Sequence, residues 1–210
     1  MSLRVRLRWG LAAVVLGLLF LAGAWLSLRT GTGARLDDDV RDTVLNTIGE
    51  RVRQDLSTLA RPLVIVVLGP LLVLLVLLAV VRRAWRRALA AVIVPIASTG
   101  VTLWLHREDP FGTGEAAFPS NHASLGLSLL VAVMLVWPAP IGRWGLFTGG
   151  IAALCVGLGN VSWYAHQPRD VVGSALLVGA VTTAVVALLG GDTANLADDV
   201  GRRDVVRSDH

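Results

Sequence analysis

Several residue types that characterise soluble or disulfide-stabilised proteins are scarce in this 210-residue sequence. Lysine is absent and all 19 basic residues are arginine, a bias that we attribute to high-GC coding in a bacterium rather than to function. The single cysteine, Cys155, excludes a disulfide within the chain. Charged residues make up only 16% of the sequence and are nearly missing from several long stretches, which excludes an ordinary soluble domain.

What the sequence has instead is a series of apolar runs. Hydrophobic residues account for 54% of the chain, and in lipid such runs must form helices to satisfy their backbone hydrogen bonds. We therefore predict an all-α integral membrane protein, a six-transmembrane helical bundle that forms one domain over residues 1–190. The predicted spans are about 10–28, 62–81, 88–105, 122–137, 145–162 and 170–190, followed by a flexible cytoplasmic tail over 191–210.

The arginines predict the orientation of these spans, because positively charged loops stay in the cytoplasm. Both termini are then cytoplasmic, and the loops 29–61, 106–122 and 163–170 face the outer side of the cell membrane. We expect the first run to remain as a span, since it is long for a cleaved signal peptide. The arginines that carry the argument are Arg4, Arg6, Arg8, Arg82, Arg83, Arg86, Arg87 and Arg143.

Residues 34–60 are polar, with apolar residues at helical spacing. This pattern predicts an amphipathic extracytoplasmic helix between spans one and two, acting either as a connector that covers its apolar stripe or as a lid over a site. Asp37, Asp38 and Asp39 are typical of a helix start, where the macrodipole favours negative charge.

Two histidines, His122 and His166, lie at the ends of apolar runs and are 44 residues apart. Two membrane passes joined by a short turn return the chain to the face it left, so the histidines can meet there. Ser120 or Asn121 is a natural N-cap for span four, and a helix start suits a phosphate or another anion. The alternative is capping alone, with His122 an ordinary polar residue at the interface.

The second histidine has a carboxylate at helical spacing. His166 and Asp170 are four residues apart and share one face of a helix, an arrangement in which the carboxylate orients an imidazole that acts as nucleophile or base. Pro168 is predicted in the first turn of span six. The alternative is that Asp170 caps that helix while His166 simply faces water.

These motifs resemble the type 2 phosphatidic-acid phosphatase superfamily, a family of six-span lipid phosphatases. Its pattern is Lys-x6-Arg-Pro, then Pro-Ser-Gly-His, then Ser-Arg-x5-His-x3-Asp, all on one membrane face. This sequence has Pro-Ser-Asn-His at 119–122 and His-x3-Asp at 166–170, in the same order.

The resemblance implies a role for each matching residue. His166 would attack phosphorus to form a phosphohistidine, Asp170 would orient it, and His122 would protonate the leaving oxygen. Ser120 and Asn121 would contact the phosphate. The chemistry would need no metal and no cofactor, and the sequence offers no carboxylate cluster suited to Mg²⁺.

The cationic part of the family pattern is largely missing. Asn160 stands at the position of the third-motif arginine, and the first-motif lysine falls on Gly100 or Thr102, depending on the alignment. Phosphoryl transfer depends on cations that neutralise the phosphate oxygens. We therefore predict that Arg107, Asn160 and a surrogate, Arg169, help to bind phosphate; for Arg169 the alternative is a simple interfacial charge.

The function that these features predict is an extracytoplasmic-facing lipid phosphatase acting on a polyprenyl phosphate or pyrophosphate, or on a phosphatidyl phosphate. Its partners would be this lipid and the bilayer. A sequence pI near 10.8 reflects the cytoplasmic arginines, and nucleic acid is a poor candidate partner. Two alternatives stay open: a catalytically weakened lipid-phosphate-binding or partner membrane protein of the same fold, and a serine hydrolase using Ser120 with His166 or His122.

Overall fold

The computed structural model describes residues 2–112, 118–139, 141–162 and 166–190. Within these ranges the chain forms helices joined by turns and contains no strand, which confirms the all-α prediction. The helices are α1 (Leu3–Arg29), α2 (Gly31–Thr47), α3 (Glu50–Asp55), α4 (Arg61–Val81), α5 (Trp85–Glu108), α6 (Asn121–Val136), α7 (Arg143–Ser162) and α8 (Pro168–Leu189), with a π-helical turn, Leu56–Ala60, between α3 and α4.

Among the described residues, five helices are long and apolar enough to cross a membrane: α1, α4 over Val64–Val81, α5, α7 and α8. Large apolar side chains are exposed on all five, as expected for surfaces that meet lipid rather than water. Examples are Leu18, Val73, Leu103, Leu154 and Leu188. These helices indicate a multi-pass membrane protein.

The predicted span 122–137 corresponds to α6, which has only 16 residues, whereas a span needs about 20. The count of six spans is therefore not confirmed. Eleven of the α6 residues are buried, and the helix packs against α4, α5, α7 and α8. A helix enclosed in this way meets protein rather than lipid, so its length is not set by the thickness of the bilayer.

Helix α1 packs along the length of α8, from Phe20 near the start of α8 to Arg6 near Gly190 at its end. Phe20 of α1 stacks on Phe118, with ring centroids 5.5 Å apart. Gly173 of α8 permits this approach, because a Cβ there would lie 2.6 Å from the Phe118 ring. The chain that leads into α6 is thus held between the first and last helices.

The connection between α1 and α4 differs from the prediction. One amphipathic helix over 34–60 is not confirmed, because the chain forms α2 and α3 with a break between them. The predicted helix start at Asp37 to Asp39 is wrong. Thr30 is the N-cap, and its hydroxyl accepts a hydrogen bond from the Gly33 N–H at 3.0 Å, so α2 begins earlier and buries Asp37 in its second turn.

Some predicted features lie outside the described residues, namely the tail over 191–210 and the loop residues 113–117 and 163–165. The single domain over 1–190 and the placement of both termini in the cytoplasm stay predictions.

Candidate active site

The two histidine motifs meet through backbone hydrogen bonds at the starts of α6 and α8. The Ser120 N–H donates to the Asp170 carbonyl at 3.1 Å. The buried Ser174 hydroxyl lies 2.9 Å from the Ser120 carbonyl and 2.8 Å from the Asp170 carbonyl. One main-chain hydrogen bond and the Ser174 hydroxyl therefore hold the two helix starts together.

Ser120 is the N-cap of α6, which confirms the predicted helix start. Its Oγ accepts a hydrogen bond from the Ala123 N–H at 3.2 Å, and the side chain is fully buried. This contact uses the hydroxyl as an acceptor, so its proton can be donated to a phosphate oxygen. Asn121, the next residue, begins the helix, and its Oδ1 has no hydrogen-bond partner among the described residues.

Asp170 connects the start of α8 to His166. Its Oδ2 accepts a hydrogen bond from the Gln167 N–H at 2.9 Å, in a capping box with Pro168 at the first helical position, as predicted. The same oxygen lies 3.6 Å from His166 Nδ1, which is an ion-pair distance rather than a hydrogen bond. Asp170, only 2% exposed, thus caps the helix and also faces the imidazole.

The rings of His122 and His166 lie together, with centroids 6.4 Å apart and planes inclined by 55°. The two imidazoles are therefore close enough to contact the same small group. His122 is exposed, whereas the His166 side chain is only 13% exposed. One histidine is open to solvent and the other is held inside the site.

The two candidate arginines occupy different environments. The Arg169 side chain is 15% exposed, and its Nε lies 3.6 Å from Asp37 Oδ2 and 3.7 Å from Asp170 Oδ1. Arg107, at the end of α5, is 85% exposed and lies 3.6 Å from Glu108. The structure brings Arg169 into the cluster and leaves Arg107 at the surface, so phosphate binding by Arg107 stays a prediction without geometric support.

Asn160 lies inside the bundle near the end of α7 and is fully buried. Its Nδ2 donates to the Val156 carbonyl at 2.7 Å, which leaves its Oδ1 without a hydrogen-bond partner among the described residues. The amide oxygen is an acceptor and supplies no positive charge, unlike the arginine of the family pattern at this position.

His106 is a site residue that the sequence analysis missed. Its Nε2 lies 2.7 Å from the Pro119 carbonyl, directly before the N-cap of α6. A signal was present, because Ser98, Thr102 and His106 are spaced by four and form a polar stripe on α5. Thr102 also donates to Ser124 of α6 at 3.1 Å. Helical periodicity therefore favoured His106 over its neighbour Arg107 as the residue facing the site.

Buried polar atoms without a hydrogen-bond partner among the described residues concentrate in these segments. Leaving such an atom unsatisfied costs about 1 to 3 kcal/mol, so a concentration of them is typical of a functional site that binds a polar ligand or ordered water. The atoms are Asn121 Oδ1, Asn160 Oδ1, Ser162 Oγ, His166 Nδ1, Gln167 Oε1 and Asp170 Oδ1. Within the described ranges, no group of three or more His, Cys, Asp or Glu side chains is placed to hold a metal ion.

An apolar cavity of about 290 Å³ adjoins this cluster between α1, α2 and α8. Phe118 forms part of its wall, and Arg169 and Asp37 form its polar corner. Burial raises the pKa of the Asp37 carboxyl above its usual value, although the hydrogen bond and the positive charge from Arg169 oppose that rise. The cavity therefore has an apolar body with one charged end next to Asp170.

Residues 95–193 match the family model of the PAP2 superfamily. The matched segment runs from within α5 through α8 and includes both histidine motifs, whereas α1 to α4 lie outside it. No curated protein and no solved structure matches the chain.

Proposed function

We propose that the protein is a membrane lipid phosphatase, because residues 95–193 match the PAP2 superfamily, whose members hydrolyse phosphate esters, commonly those of lipids. The substrate is a polyprenyl phosphate or pyrophosphate, or a phosphatidyl phosphate, with the site on the outer face of the cell membrane.

The observation that carries the proposal is the spacing of the two histidines. Their ring centroids are 6.4 Å apart, and the Asp170 carboxylate lies 3.6 Å from Nδ1 of His166. Because His166 Nδ1 faces the carboxylate, Nε2 is the nitrogen available to attack. An imidazole oriented by a carboxylate is a suitable nucleophile, and a second, exposed imidazole is a suitable acid.

The reaction proceeds in two displacements. His166 Nε2 forms a bond to phosphorus while the bond from phosphorus to the leaving oxygen breaks, and protonated His122 gives its proton to that oxygen. The leaving oxygen belongs to the lipid alcohol in a monophosphate and to the lipid monophosphate in a pyrophosphate. Water then attacks the phosphohistidine, His122 takes up the proton of the water, and the bond between nitrogen and phosphorus breaks to release inorganic phosphate. Asp170 stabilises the positive charge on the His166 ring in both steps.

Phosphate binding is assigned to groups around the helix starts. The N-terminus of α6, with Ser120 and Asn121, supplies hydrogen-bond donors and the positive end of a helix dipole. Arg169 supplies the cation that the family pattern places elsewhere, and Asn160 lies at the position of the missing arginine. Charge-assisted hydrogen bonds from such groups stabilise the equatorial oxygens of the transferring phosphoryl group.

A lipid substrate is supported by the apolar cavity beside the charged cluster. Its wall includes Phe118, two residues before Ser120, and Gly23 of α1. A hydrocarbon chain next to the reacting phosphate would bury apolar surface there at about 25 cal/mol per Å². The ligand class that fits both features has an anionic head and an apolar tail.

A second function is favoured by one observation. The position of the family's third-motif arginine is held by Asn160, a neutral and fully buried residue. A protein that keeps the helix starts but lacks this cation could bind a lipid phosphate, or act as a partner subunit of the same fold, without rapid hydrolysis.

Phosphate release from a panel of lipid phosphates, measured on purified protein in detergent, tests the proposal. We expect His166→Ala to lower kcat by about 10⁴-fold or below detection, because removing a nucleophile abolishes the covalent route. Thr148→Ala, at an exposed position of α7, is the control and should match the wild type. No release by the wild type from any lipid would reject hydrolysis and favour the binding protein; activity that survives His166→Ala but is lost in Ser120→Ala would indicate a serine hydrolase.

A further inference from the structure

Helix α2, which lies outside the matched segment, contacts the start of α8 through Asp37 and Asp38. Asp37 Oδ1 accepts a hydrogen bond from the Arg169 N–H at 2.8 Å, and Asp37 Oδ2 lies 3.6 Å from Arg169 Nε. Next to it, Asp38 Oδ1 lies 3.4 Å from Gln167 Nε2. Asp37 therefore contacts the backbone and the side chain of the same arginine.

The burial of Asp37 is unusual for its helix. It is 7% exposed and is the buried residue of α2, whereas the neighbouring Asp38 and Asp39 are exposed. Carboxylates are almost never buried without a partner, because removing the charge from water costs free energy. The burial of Asp37 against an arginine of the candidate active site indicates a functional role for this carboxylate.

We propose that Asp37 is a positioning residue that holds the Arg169 guanidinium beside Asp170, where it supplies the positive charge for phosphate binding that the family's missing lysine and arginine would otherwise supply. The inference rests on the proposed function and adds α2 to the active site.

The physical argument begins with the length of the arginine side chain. Arginine carries about 2 kcal/mol of rotamer entropy, and an arginine at the end of a membrane helix tends to extend toward water. Contacts from Asp37 and Asp170 at 3.6 and 3.7 Å both fall on Nε and hold one edge of the guanidinium.

The position of Arg169 in α8 strengthens the argument. Its backbone N–H belongs to the first turn, where amides have no partner within the helix, and the Asp37 carboxylate accepts from it. The carboxylate thus fixes the backbone of Arg169 as well as its side chain, one residue before Asp170.

The test measures how tightly the protein binds the phosphate group itself. Inorganic phosphate is used as a competitive inhibitor of the hydrolysis of a water-soluble phosphate ester, and its Ki is compared among variants. We expect Asp37→Asn to raise Ki by about 10-fold, because a displaced Arg169 would lose a hydrogen bond to the phosphate. Hydrogen bonds to charged groups are worth about 1.5 to 3 kcal/mol. Asp39→Asn removes the same charge from an exposed position of the same helix and should leave Ki within about 2-fold.

A double-mutant cycle separates positioning from a general effect on the fold. In an Arg169→Gln background, Asp37→Asn should change Ki no further, because the group through which it acts is gone. Equal additional losses in both backgrounds would reject the inference, as would a Ki that is the same in Asp37→Asn and Asp39→Asn. A lower Ki in Asp37→Asn would also reject it, because Asp37 would then compete with phosphate for the arginine.

A binding measurement that needs no turnover distinguishes this inference from the proposed function. Orthovanadate should raise the Tm of the wild type and of Asp39→Asn, and raise that of Asp37→Asn less. If the wild type hydrolyses no ester, the proposed function fails while the vanadate shift still tests the anion site. If the wild type is active and all three shifts are equal, only the role of Asp37 fails.

Discussion

The end of α5 and the start of α8 each carry an arginine beside a carboxylate at nearly the same distance, and they differ in burial. At the end of α5, Arg107 and Glu108 are 3.6 Å apart with side chains 85% and 52% exposed. At the start of α8, Arg169 and Asp170 are 3.7 Å apart with side chains 15% and 2% exposed. An exposed pair contributes about 0 to 1 kcal/mol, whereas a buried pair must offset a desolvation cost of several kcal/mol per ion.

This difference decides which arginine can act on a phosphate. Around a buried guanidinium the effective dielectric constant is lower, so its attraction for an anion is stronger than at the surface. The exposed arginine is screened by water and salt. The two arginines are at nearly equal distances from their carboxylates, so only their burial distinguishes them as candidate phosphate ligands.

The largest effect that tests the comparison is on catalysis. Arg169→Gln should lower kcat/KM for a lipid phosphate by about 100-fold, and Arg107→Gln by less than about 3-fold, because only the buried cation meets the reacting group. Steady-state kinetics on purified variants measure both values. The reverse order would show that Arg107 binds phosphate, as the sequence predicts, and that Arg169 is an interfacial charge.

A smaller effect on activity should come from filling the apolar cavity beside the start of α8. Gly23→Leu places a side chain in the cavity, where a Cβ meets nothing within 4 Å, so the helix tolerates it. We expect about a 10-fold loss of kcat/KM for a long-chain lipid phosphate and no loss for a water-soluble ester, because pocket contacts of this kind are worth about 1 to 3 kcal/mol.

The control for that variant is Gly17→Leu, on the same helix and equally open at its Cβ, but outside the cavity wall. Its activity toward both substrates should equal that of the wild type. Equal losses on the long-chain and soluble substrates in Gly23→Leu would show that the cavity does not hold the lipid chain.

The smallest effect concerns stability. The pKa of Asp37 is raised mainly by burial, so the folded state binds this proton more tightly than the unfolded state, and stability is lost as pH rises from the usual value of 3.8 through the raised pKa. An asparagine at position 37 does not ionise, so it carries no pH-dependent cost of this kind. Asp37→Asn should therefore raise the Tm at pH 7 by on the order of 2 °C, and the difference from the wild type should vanish below pH 3.8.

The charged groups acting on Asp37 are Arg169, Asp170 and Asp38. The Tm is measured in detergent from tryptophan fluorescence across this pH range, with Asp39→Asn as control. A lower Tm for Asp37→Asn at pH 7 would mean that the ion pair with Arg169 outweighs the cost of burial. Together with the inhibition test, the expected result is that Asp37→Asn is more stable than the wild type and binds phosphate less tightly.

Much of the helical architecture could be predicted because it depends on local composition. Each apolar run became a helix, and Ser120 and Pro168 lie at the predicted helix starts. The pairing of His122 with His166 followed from two membrane passes returning the chain to one face. Helix α6 has only 16 residues and is surrounded by protein. Its own sequence does not indicate these surroundings.

The rest depends on contacts that are distant in sequence. The bond between Asp37 and Arg169 joins residues 132 positions apart, and nothing in three adjacent aspartates tells which one is buried. To predict that His106 rather than Arg107 faces the site, one must know which face of α5 points inward. The spacing of Ser98 and Thr102 indicates that face, but the motif comparison did not use it. Local motifs predicted that His122 and His166 lie together, and tertiary packing determined that Arg169 lies beside Asp170.

The hydrogen bond between the Ser120 N–H and the Asp170 carbonyl has a consequence for how such a protein can diversify. Because it joins main-chain atoms, no exchange of side chains at these two positions removes its donor or its acceptor, proline at 120 excepted. Cavity-lining residues on α1 and α2 can therefore change over generations while this bond continues to join the starts of α6 and α8.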